Sequence, residues 1–216
     1  MKKLTIALLA AVFAVGGPSL KAAATEEQEQ VHEAAMIMRR FHSMPEKEIP
    51  REVLRDAKGL AILKVVKGGF IWSGKVGEGV VVARNRHGWS GPAFIRTGGI
   101  GFGAQIGGEV SQIVLVLNTN EAVRAFEQGT NVELGGALSV AAGPLGRTAE
   151  AGVMPKAAVY SYSLSKGLFA GASLEGTAVD SNDKANARYY GGPVSAGAIL
   201  RGKVGEGRAR ELIASL

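Results

Sequence analysis

The sequence predicts an α+β domain: a glycine-rich, mostly antiparallel sheet or partly closed barrel, with N-terminal helices, one mid-chain helix and a short C-terminal helix. Two observations support this. The 31 glycines among 216 residues are about twice the usual share of near 7%, and they lack the three-residue period of collagen. From residue 60 onward, short apolar runs follow one another too closely for crossover helices, which favours antiparallel pairing through short turns.

The first 24 residues carry the pattern of a secretory signal peptide. Lys2 and Lys3 precede an apolar run at 4–15, and three alanines at 22–24 provide a small-residue cleavage site. The run is shorter than the roughly 20 residues that a membrane span needs. The pattern therefore predicts a leader over 1–24 and a secreted protein of bacterial type, periplasmic or secreted and peripheral to a membrane.

Charge and composition narrow the classes of partner. Without residues 1–24, the 25 basic side chains fall to 22 against 19 acidic ones, so the net charge is +3 instead of +6. This small excess gives little support to nucleic-acid binding and fits an anionic surface such as lipid headgroups. The chain has no cysteine, so the apolar core must stabilise it without disulfides. We expect a single domain over 25–216.

Residues 25–58 are predicted to be N-terminal helices. Five apolar residues recur at three- and four-residue spacing and form one stripe: Val31, Ala34, Ala35, Met38 and Phe41. The stretch SMPE at 43–46 predicts a capping box with a proline in the first turn of a second helix. Gly59 is expected to end this segment.

The β-rich core is predicted over 60–179, and one helix interrupts it. The predicted strands are 60–66, 70–75, 79–84, 92–97, 100–106, 110–118, 132–143, 156–165 and 167–179. Turns are predicted at KGG (67–69), NRHG (85–88) and GG (107–108). The mid-chain helix is TNEAVRAFEQG at 119–129. The C-terminal segment, 180–216, contains a polar stretch at 180–192 and a short helix at about 206–215.

The stretch GGIGFGAQIGGE at 98–109 allows two interpretations. Gly99, Gly101 and Ala104 fit a variant of the dinucleotide-binding fingerprint, which needs a helix directly after the glycines. Here a predicted strand, VSQIVLVLN, follows instead, so no helix N-terminus can hold a pyrophosphate. The stretch is therefore predicted to be a strand whose glycine face allows close packing, and no cofactor is expected.

Catalytic and metal-binding patterns are weak. The sequence has no G-x-S-x-G serine, and its three histidines, His32, His42 and His87, lack metal-ligand spacing. Five carboxylates could pair across strands for acid–base chemistry, although scattered surface charges explain them better: Glu78, Glu109, Glu133, Glu150 and Glu175. The chain is predicted not to be an enzyme, and a carboxylate-based hydrolase is the most distant alternative.

Two further features have alternative explanations. The hexapeptide GKVGEG occurs at 74–79 and at 202–207, either as a duplicated site or as repeated turn chemistry. Trp72 and Trp89 are either membrane-interface residues or packing residues of the sheet.

Basic residues around the N-terminal helices are the candidate binding site. An apolar helical stripe with a cationic rim can bind an anionic interface, each basic residue contributing roughly 1 kcal/mol near the surface. The alternative is a helix that packs on the core and exposes a charged face. The candidate lipid-binding residues are Arg39, Arg40, Arg51, Arg55, Lys58, Lys64 and Lys67.

Six blocks, in order, resemble the SYLF domain family across residues 45–215. They are AKGLAILKVVKGGF (57–70), GEGVVVAR (77–84), GWSGPAFI (88–95), SVAAGPLGRTAEAG (139–152), YSYSLSKGLFAGASLEGTAV (160–179) and ANARYYGG (185–192). The resemblance implies a binding module for membrane lipids, phosphoinositides especially. In eukaryotic members it also implies association with actin, although secretion of this chain argues against an actin partner.

The first functional hypothesis is a non-enzymatic protein that recognises anionic phospholipid headgroups through these basic residues. The second is an envelope structural or stress protein that binds a protein partner through an exposed sheet edge.

Overall fold

The computed structural model describes residues 25–70, 72–102, 107–136, 138–145, 156–164 and 177–216, with side chains undescribed at 67–74 and 99–109. Its strands are β1 Gly59–Phe70, β2 Trp72–Asn85, β3 Gly88–Trp89, β4 Ala93–Phe102, β5 Gly107–Leu117, β6 Val132–Leu134, β7 Val140–Ala142, β8 Val159–Ser163 and β9 Thr177–Ser181. Its helices are α1 Glu26–Ser43, α2 Arg51–Asp56, α3 Asn120–Gln128, α4 Asp183–Tyr190, α5 Ala196–Leu200 and α6 Arg210–Ala214. The predicted leader, 1–24, lies outside the described residues.

The strands form one sheet that curls nearly into a barrel. Their order is β6-β9-β4-β2-β1-β5-β8-β7, and β3 pairs with β2. β6 and β7 stand at opposite ends of this order, yet only residues 135–139 join them. That connection reaches about 20 Å at most, whereas eight strands in a flat sheet span about 34 Å. The two edges therefore approach each other, and the predicted α+β class with a partly closed barrel is confirmed.

The pairing is antiparallel, as predicted, except between β7 and β8, which are parallel. The predicted turn NRHG is confirmed, because β2 ends at Asn85 and β3 begins at Gly88. The other two predicted turns are wrong. KGG at 67–69 continues β1 and GG at 107–108 begins β5, since Gly68 pairs with Gly74 on one side and with Gly108 on the other. Glycine pairs allow a turn but do not require one.

Two other predicted strands need adjustment. The stretch 132–143 is not one strand but two, β6 and β7, because Gly135 adopts a left-handed conformation with φ 86° between them. The predicted strand 167–179 is described only from Thr177 onward, as the start of β9, and its first part lies outside the described residues.

The central strands are buried on both faces of the sheet. Along β1, Leu60 and Ile62 belong to one apolar cluster, while Ala61 and Leu63 belong to another, and each is at most 2% exposed. Residues two apart in a strand share a face, so these clusters lie on opposite sides of the sheet. We call them the α1 face, which α1 and α2 cover, and the α3 face, which α3 and α5 cover.

Side-chain caps determine where the two longer predicted helices begin. The Thr25 hydroxyl accepts a hydrogen bond from the Gln28 N–H at the start of α1, and the Thr119 hydroxyl accepts one from the Ala122 N–H at the start of α3. Gly129, with φ 75°, ends α3. The mid-chain helix is thus confirmed with the boundaries expected from its cap and its glycine.

The capping box predicted at 43–46 is wrong. Ser43 is the last residue of α1, and its hydroxyl donates back to the carbonyl of Arg40 at 3.0 Å. The second helix begins only after Pro50, at Arg51. A serine can serve either end of a helix in this way, because its hydroxyl is both a donor and an acceptor.

The polar stretch 180–192 contains a helix, α4, that the sequence pattern did not predict. The side chain of Asn182 accepts from the Ala185 N–H, and Gly191 ends the helix with φ 78°. Asn186 is fully buried and accepts a hydrogen bond from the Phe94 N–H at 2.8 Å. A polar side chain thus supports the core from within. Helix α5 was also missed, and the predicted C-terminal helix is limited to Arg210–Ala214.

The repeated hexapeptide GKVGEG has two different structures. At 74–79 it lies within β2, and at 202–207 it lies in the connection between α5 and α6, where Gly202 and Gly207 have φ of 70° and 62°. The two copies pack in different surroundings. This supports repeated local chemistry and not a duplicated site.

We expect Gly79→Ala to destabilise the protein strongly. A Cβ at Gly79 would lie 2.0 Å from the carbonyl oxygen of Ile62 and 2.8 Å from Leu63 Cα, both backbone atoms of the paired strand. Overpacking of this kind costs about 1–3 kcal/mol or more. Urea denaturation should show the loss as a lower midpoint.

The matched control is Gly98→Ala in the neighbouring strand β4. A Cβ there meets no atom within 4 Å, so its unfolding midpoint should stay the same or rise slightly. Equal midpoints for the two variants would contradict the close approach of β1 and β2 at Gly79.

Candidate functional site

Helix α1 crosses three adjacent strands, and polar side chains form a line along that crossing. Lys64 of β1 pairs in register with Glu78 of β2 on one side and with Gln112 of β5 on the other. Each strand residue bonds to α1: the Gln30 amide donates to Glu78 at 3.0 Å, Lys64 Nζ lies 2.8 Å from Glu33 Oε1, and Arg40 donates to Gln112 at 2.9 Å. We call these six residues the seam.

The seam is partly buried, and one of its polar atoms has no hydrogen-bond partner among the described residues. Gln30 is 8% exposed, and its Oε1 atom has no hydrogen-bond partner among the described residues. A cavity of about 10 Å³ beside it is close to the room one water needs. Lys64 and Glu33, about one-third exposed, neutralise each other. Arg40 bonds to the neutral amide of Gln112, and no carboxylate in the described part of the chain lies within salt-bridge distance to compensate its charge.

Beyond the seam, three valines form an exposed apolar row. Val66 pairs in register with Val76 on one side and with Val110 on the other. Their exposed fractions are 42%, 66% and 54%. They lie two residues beyond Lys64, Glu78 and Gln112 on their strands, so they share the α1 face about 7 Å further along. We call them the valine row.

The four central strands continue past the valine row as a paired extension. The backbone register runs to Phe70↔Trp72 between β1 and β2, and to Trp72↔Phe102 between β2 and β4. We call the described residues of this extension, 66–70, 72–76, 98–102 and 107–110, the tongue. Lys67, one of the predicted lipid-binding residues, belongs to it, but its side chain lies outside the described residues, as does that of Trp72.

The structure brings only some of the predicted basic residues together. Arg40 and Lys64 both belong to the seam, each with its own partner. Arg51, Arg55 and Lys58 lie at the opposite end of the sheet, because Lys58 directly precedes β1 and is six residues, about 20 Å of strand, from Lys64. There Arg55 pairs with the adjacent Asp56 at 3.1 Å.

Arg39 contacts the C-terminal helix instead of the seam. Its guanidinium lies 2.8 Å from one oxygen of Glu211, and His32 Nδ1 lies 2.9 Å from the other. These hydrogen bonds with His32 and Arg39 hold the pKa of the Glu211 carboxyl below its ordinary value. Arg39 therefore helps to attach α6 to α1. Helix α1 also contacts α4, because its buried Glu27 pairs with Arg188.

The apolar stripe of α1 is part of the core. Val31, Ala35, Met38 and Phe41 are each at most 1% exposed, and the Phe41 ring lies edge-on to Tyr162 at 6.5 Å. Of the two interpretations of this helix, the core-facing one is therefore the observed one. Any contact of α1 with a surface must use its polar face or the strand residues beside it.

The alternative chemistries find no support in the described geometry. Among the described residues, 98–102 belong to strand β4 and 107–117 to strand β5, where a dinucleotide fingerprint needs a helix. Glu78 belongs to the seam, Glu133 is exposed on β6, and Glu109, Glu150 and Glu175 have no described side chains. No group of three metal-ligating residues occurs in the described part of the chain. None of its helices is long and apolar enough to cross a membrane.

Trp89 packs against the core, and His87 is exposed to solvent. The Arg84 guanidinium lies 4.4 Å from the centre of the Trp89 ring, and this half-buried ring packs against the core, in agreement with the packing interpretation. His87 is exposed in the turn between β2 and β3.

The valine row is the feature that sequence reasoning missed. Val66 stands in the run LAILKVV, whose other apolar members are buried, and nothing in that run marks one valine as exposed. A usable signal lies in the neighbours: on both paired strands the corresponding residue is also a valine that is flanked closely by glycines or charges.

Comparison with known proteins identifies the family. A family model described as "Ysc84: Las17-binding protein actin regulator" matches residues 98–216. LAS seventeen-binding protein 3 of Saccharomyces cerevisiae is 47% identical over 161 residues, 72% of this chain and 35% of that protein. Protein YSC84 of the same yeast is 43% identical over 187 residues, 82% of this chain and 40% of that protein.

A human relative gives the same result. SH3 domain-containing YSC84-like protein 1 is 45% identical over 183 residues, 81% of this chain and 54% of that protein. This chain thus spans between about one-third and about half of the lengths of these three relatives.

These relatives correct two predictions drawn from the leader pattern. All three are eukaryotic proteins, and the matched family is described as an actin regulator, whereas actin lies in the cytosol. The location predicted from the leader, periplasmic or secreted, is therefore wrong, and a bacterial type of member finds no support.

The resemblance to the SYLF domain is confirmed. The family model matches more than half of the 216 residues of this chain. The chain therefore belongs to the family described as "Ysc84: Las17-binding protein actin regulator", which is the family of the SYLF domain.

Proposed function

We propose that this chain is a non-enzymatic binding module that docks on anionic phospholipid headgroups through the seam and the valine row. The observation that carries the proposal is the placement of Arg40 beside exposed valines. No described carboxylate compensates the charge of Arg40. Arg40 contacts Gln112, and Val110 with its strand partner Val66 lies two residues further along the sheet. A cation next to exposed apolar surface suits an anionic interface.

The names of the relatives support a binding role. They describe LAS seventeen-binding and SH3 domain-containing proteins, and the family description is that of an actin regulator. None of these names describes an enzyme. Phosphoinositides are the lipid class that the SYLF resemblance implies, and a multiply charged phosphate headgroup would interact more strongly with Arg40 than a singly charged one.

A protein partner is the second candidate function. The names of these relatives favour it directly. The argument against an actin partner no longer applies, because the predicted secreted location is wrong. The sheet edges suit this candidate poorly, because β6 and β7 have only three residues each. A protein partner would therefore bind side chains and not add a strand.

We expect Arg40→Glu to weaken binding to anionic vesicles by about tenfold or more. Each basic residue near an anionic surface contributes roughly 1 kcal/mol, and the reversal replaces an attraction with a repulsion. The measurement is co-sedimentation of the full chain with phosphatidylcholine vesicles, with and without phosphatidylinositol phosphates.

The matched control is Arg55→Glu, which makes the same charge change at the opposite end of the sheet on a side chain that is 71% exposed. It should reduce binding much less. Equal losses for both variants would show that overall charge acts without a defined site. Binding of neither type of vesicle by the unmodified chain would exclude the lipid function and leave the protein partner.

We also expect binding to weaken as the salt concentration rises. Between about 0.1 M and about 1 M salt the screening length falls from about 10 Å to about 3 Å, which removes most of the contribution of Arg40. Co-sedimentation across this range should show a falling bound fraction for the unmodified chain and a flatter curve for Arg40→Glu. Parallel curves would contradict a role for Arg40.

A further inference from the structure

We propose that the end of the α1 face beside α2 is a docking surface for an acidic segment of a protein partner. We call Lys58, Arg84 and Trp89, which lie at its centre, the basic row. The proposal goes beyond lipid docking, because Lys58 is about 20 Å of strand from Lys64 in the seam. It also assigns a role to predicted basic residues that the seam does not include.

The first support is that two cations face each other across adjacent strands. The Arg84 N–H donates to the Lys58 carbonyl at 2.8 Å, which continues the register of β1 and β2 by one step. Both side chains are exposed, and they share the α1 face with Leu60 and Val82, since residues two apart in a strand lie on one face. Like charges in directly opposite positions destabilise a sheet. A bound carboxylate would relieve this repulsion.

The second support is the fixed orientation of Arg84. Trp89 is its register partner in β3, and the Arg84 guanidinium lies 4.4 Å from the centre of the Trp89 ring. The same guanidinium donates to the Leu54 carbonyl in the last turn of α2 at 3.3 Å. Because a guanidinium has five N–H donors, these contacts leave donors for a carboxylate. A side chain that is already held in place loses little freedom when it binds.

The third support is an excess of positive charge at this end of the sheet. Helix α2, Lys58 and the turn between β2 and β3 carry five cations and two carboxylates. Asp56 already pairs with Arg55 at 3.1 Å, and in the described part of the chain no carboxylate lies within salt-bridge distance of the other four cations. An acidic ligand therefore meets a surface of opposite charge. The cations are Arg51, Arg55, Lys58, Arg84 and Arg86, and the carboxylates are Glu52 and Asp56.

The neighbouring connection between α5 and α6 does not cancel this excess. A Cβ at Gly202 would lie 2.7 Å from Asn85 Nδ2, so residues 201–206 pack against the turn between β2 and β3. Their charges balance when the partner on α3 is included. They are Arg201, which pairs with Glu127 at 2.8 Å, Lys203 and Glu206.

The extent of the basic row favours an extended peptide over a single small anion. Neighbouring strands lie about 4.8 Å apart, so the row spans about 10 Å across three strands, and Arg86 continues it into the turn. Three or four residues of an extended chain cover that distance. The half-buried Trp89 ring offers an apolar contact beside the cations, which suits an aromatic or aliphatic side chain among the acidic ones.

A designed peptide provides the probe. It is a fluorescein-labelled chain of about ten glutamates with one phenylalanine at its centre, and the matched peptide has glutamine in place of glutamate. Fluorescence anisotropy with the full chain, in the absence of vesicles, measures both. We expect the acidic peptide to bind, to bind about tenfold more tightly than the glutamine peptide, and to weaken as salt rises from about 0.1 M to about 1 M. Equal binding of the two peptides would overturn the proposal.

A charge reversal locates the surface. Lys58→Glu should weaken binding of the acidic peptide by about fivefold or more, because repulsion replaces attraction. Its unfolding midpoint should stay near that of the unmodified chain, since the Lys58 side chain is exposed. The matched control is Lys184→Glu, on an exposed lysine of α4, the helix that bonds to β4 through Asn186. Equal losses for the two variants would show that overall charge acts without a defined surface.

Trp89 gives a readout at the basic row itself. The chain has two tryptophans, so Trp72→Phe leaves Trp89 as the only one. We expect the acidic peptide to change the Trp89 emission, and the added Lys58→Glu change should raise the peptide concentration needed by about fivefold. Peptide binding without any change in Trp89 emission would overturn the assignment to the basic row.

Nucleic acid and lipid are the competing anions. An oligothymidylate that displaces the peptide and binds more tightly than it does would overturn the acidic protein segment in favour of a nucleic acid. Lys58→Glu should leave co-sedimentation with anionic vesicles unchanged, and a loss as large as the loss of peptide binding would overturn a surface separate from the lipid site. Failure of the acidic peptide to bind overturns this proposal while the proposed lipid function stands.

Discussion

Strand β1 is hydrogen-bonded on both sides for almost its whole length, and the rest of the structure depends on that pairing. It pairs with β2 from Gly59 to Phe70 and with β5 from Gly59 to Gly69. The two registers place residues of three strands at common levels. Buried levels come first, then the seam, then the valine row. The apolar core and the candidate surface therefore lie along the same three strands, whose side chains alternate between the two faces of the sheet. The polar residues of the seam separate them where α1 crosses.

Local signals predicted those elements whose ends are marked by their own residues. Helix α3 is one, because Thr119 and Gly129 mark its ends within the sequence itself. Helix α4 was missed because its inward residues include the polar Asn186, and an amide that supports a neighbouring strand looks like a solvent residue in the pattern. The glycines at 67–69 were taken for a turn because glycine permits both a turn and close strand packing, and only the partner strands decide between them.

The candidate site could be predicted only in part, because it is made of contacts between distant segments. Arg40 and Lys64 were both predicted from their charge. Gln30, Glu33 and Gln112 become part of the site only because α1 lies across β2, β1 and β5. Arg51 and Arg55 belong to the same charged stretch of sequence, yet α2 carries them to the far end of the sheet. Exposure of Val66 depends on where α1 crosses the sheet, which no property of Val66 itself reveals.

The order of the strands has a consequence for synthesis of the chain on the ribosome. β4 forms its outer ladder with β9, and Gly98 pairs with Ala178, eighty residues later in the sequence. When β4 emerges, its partner β9 has not been made, so the outer edge of β4 has no strand partner until translation is nearly complete. A nascent chain paused in this interval presents an open, apolar edge strand, and it is then that a chaperone has most to protect.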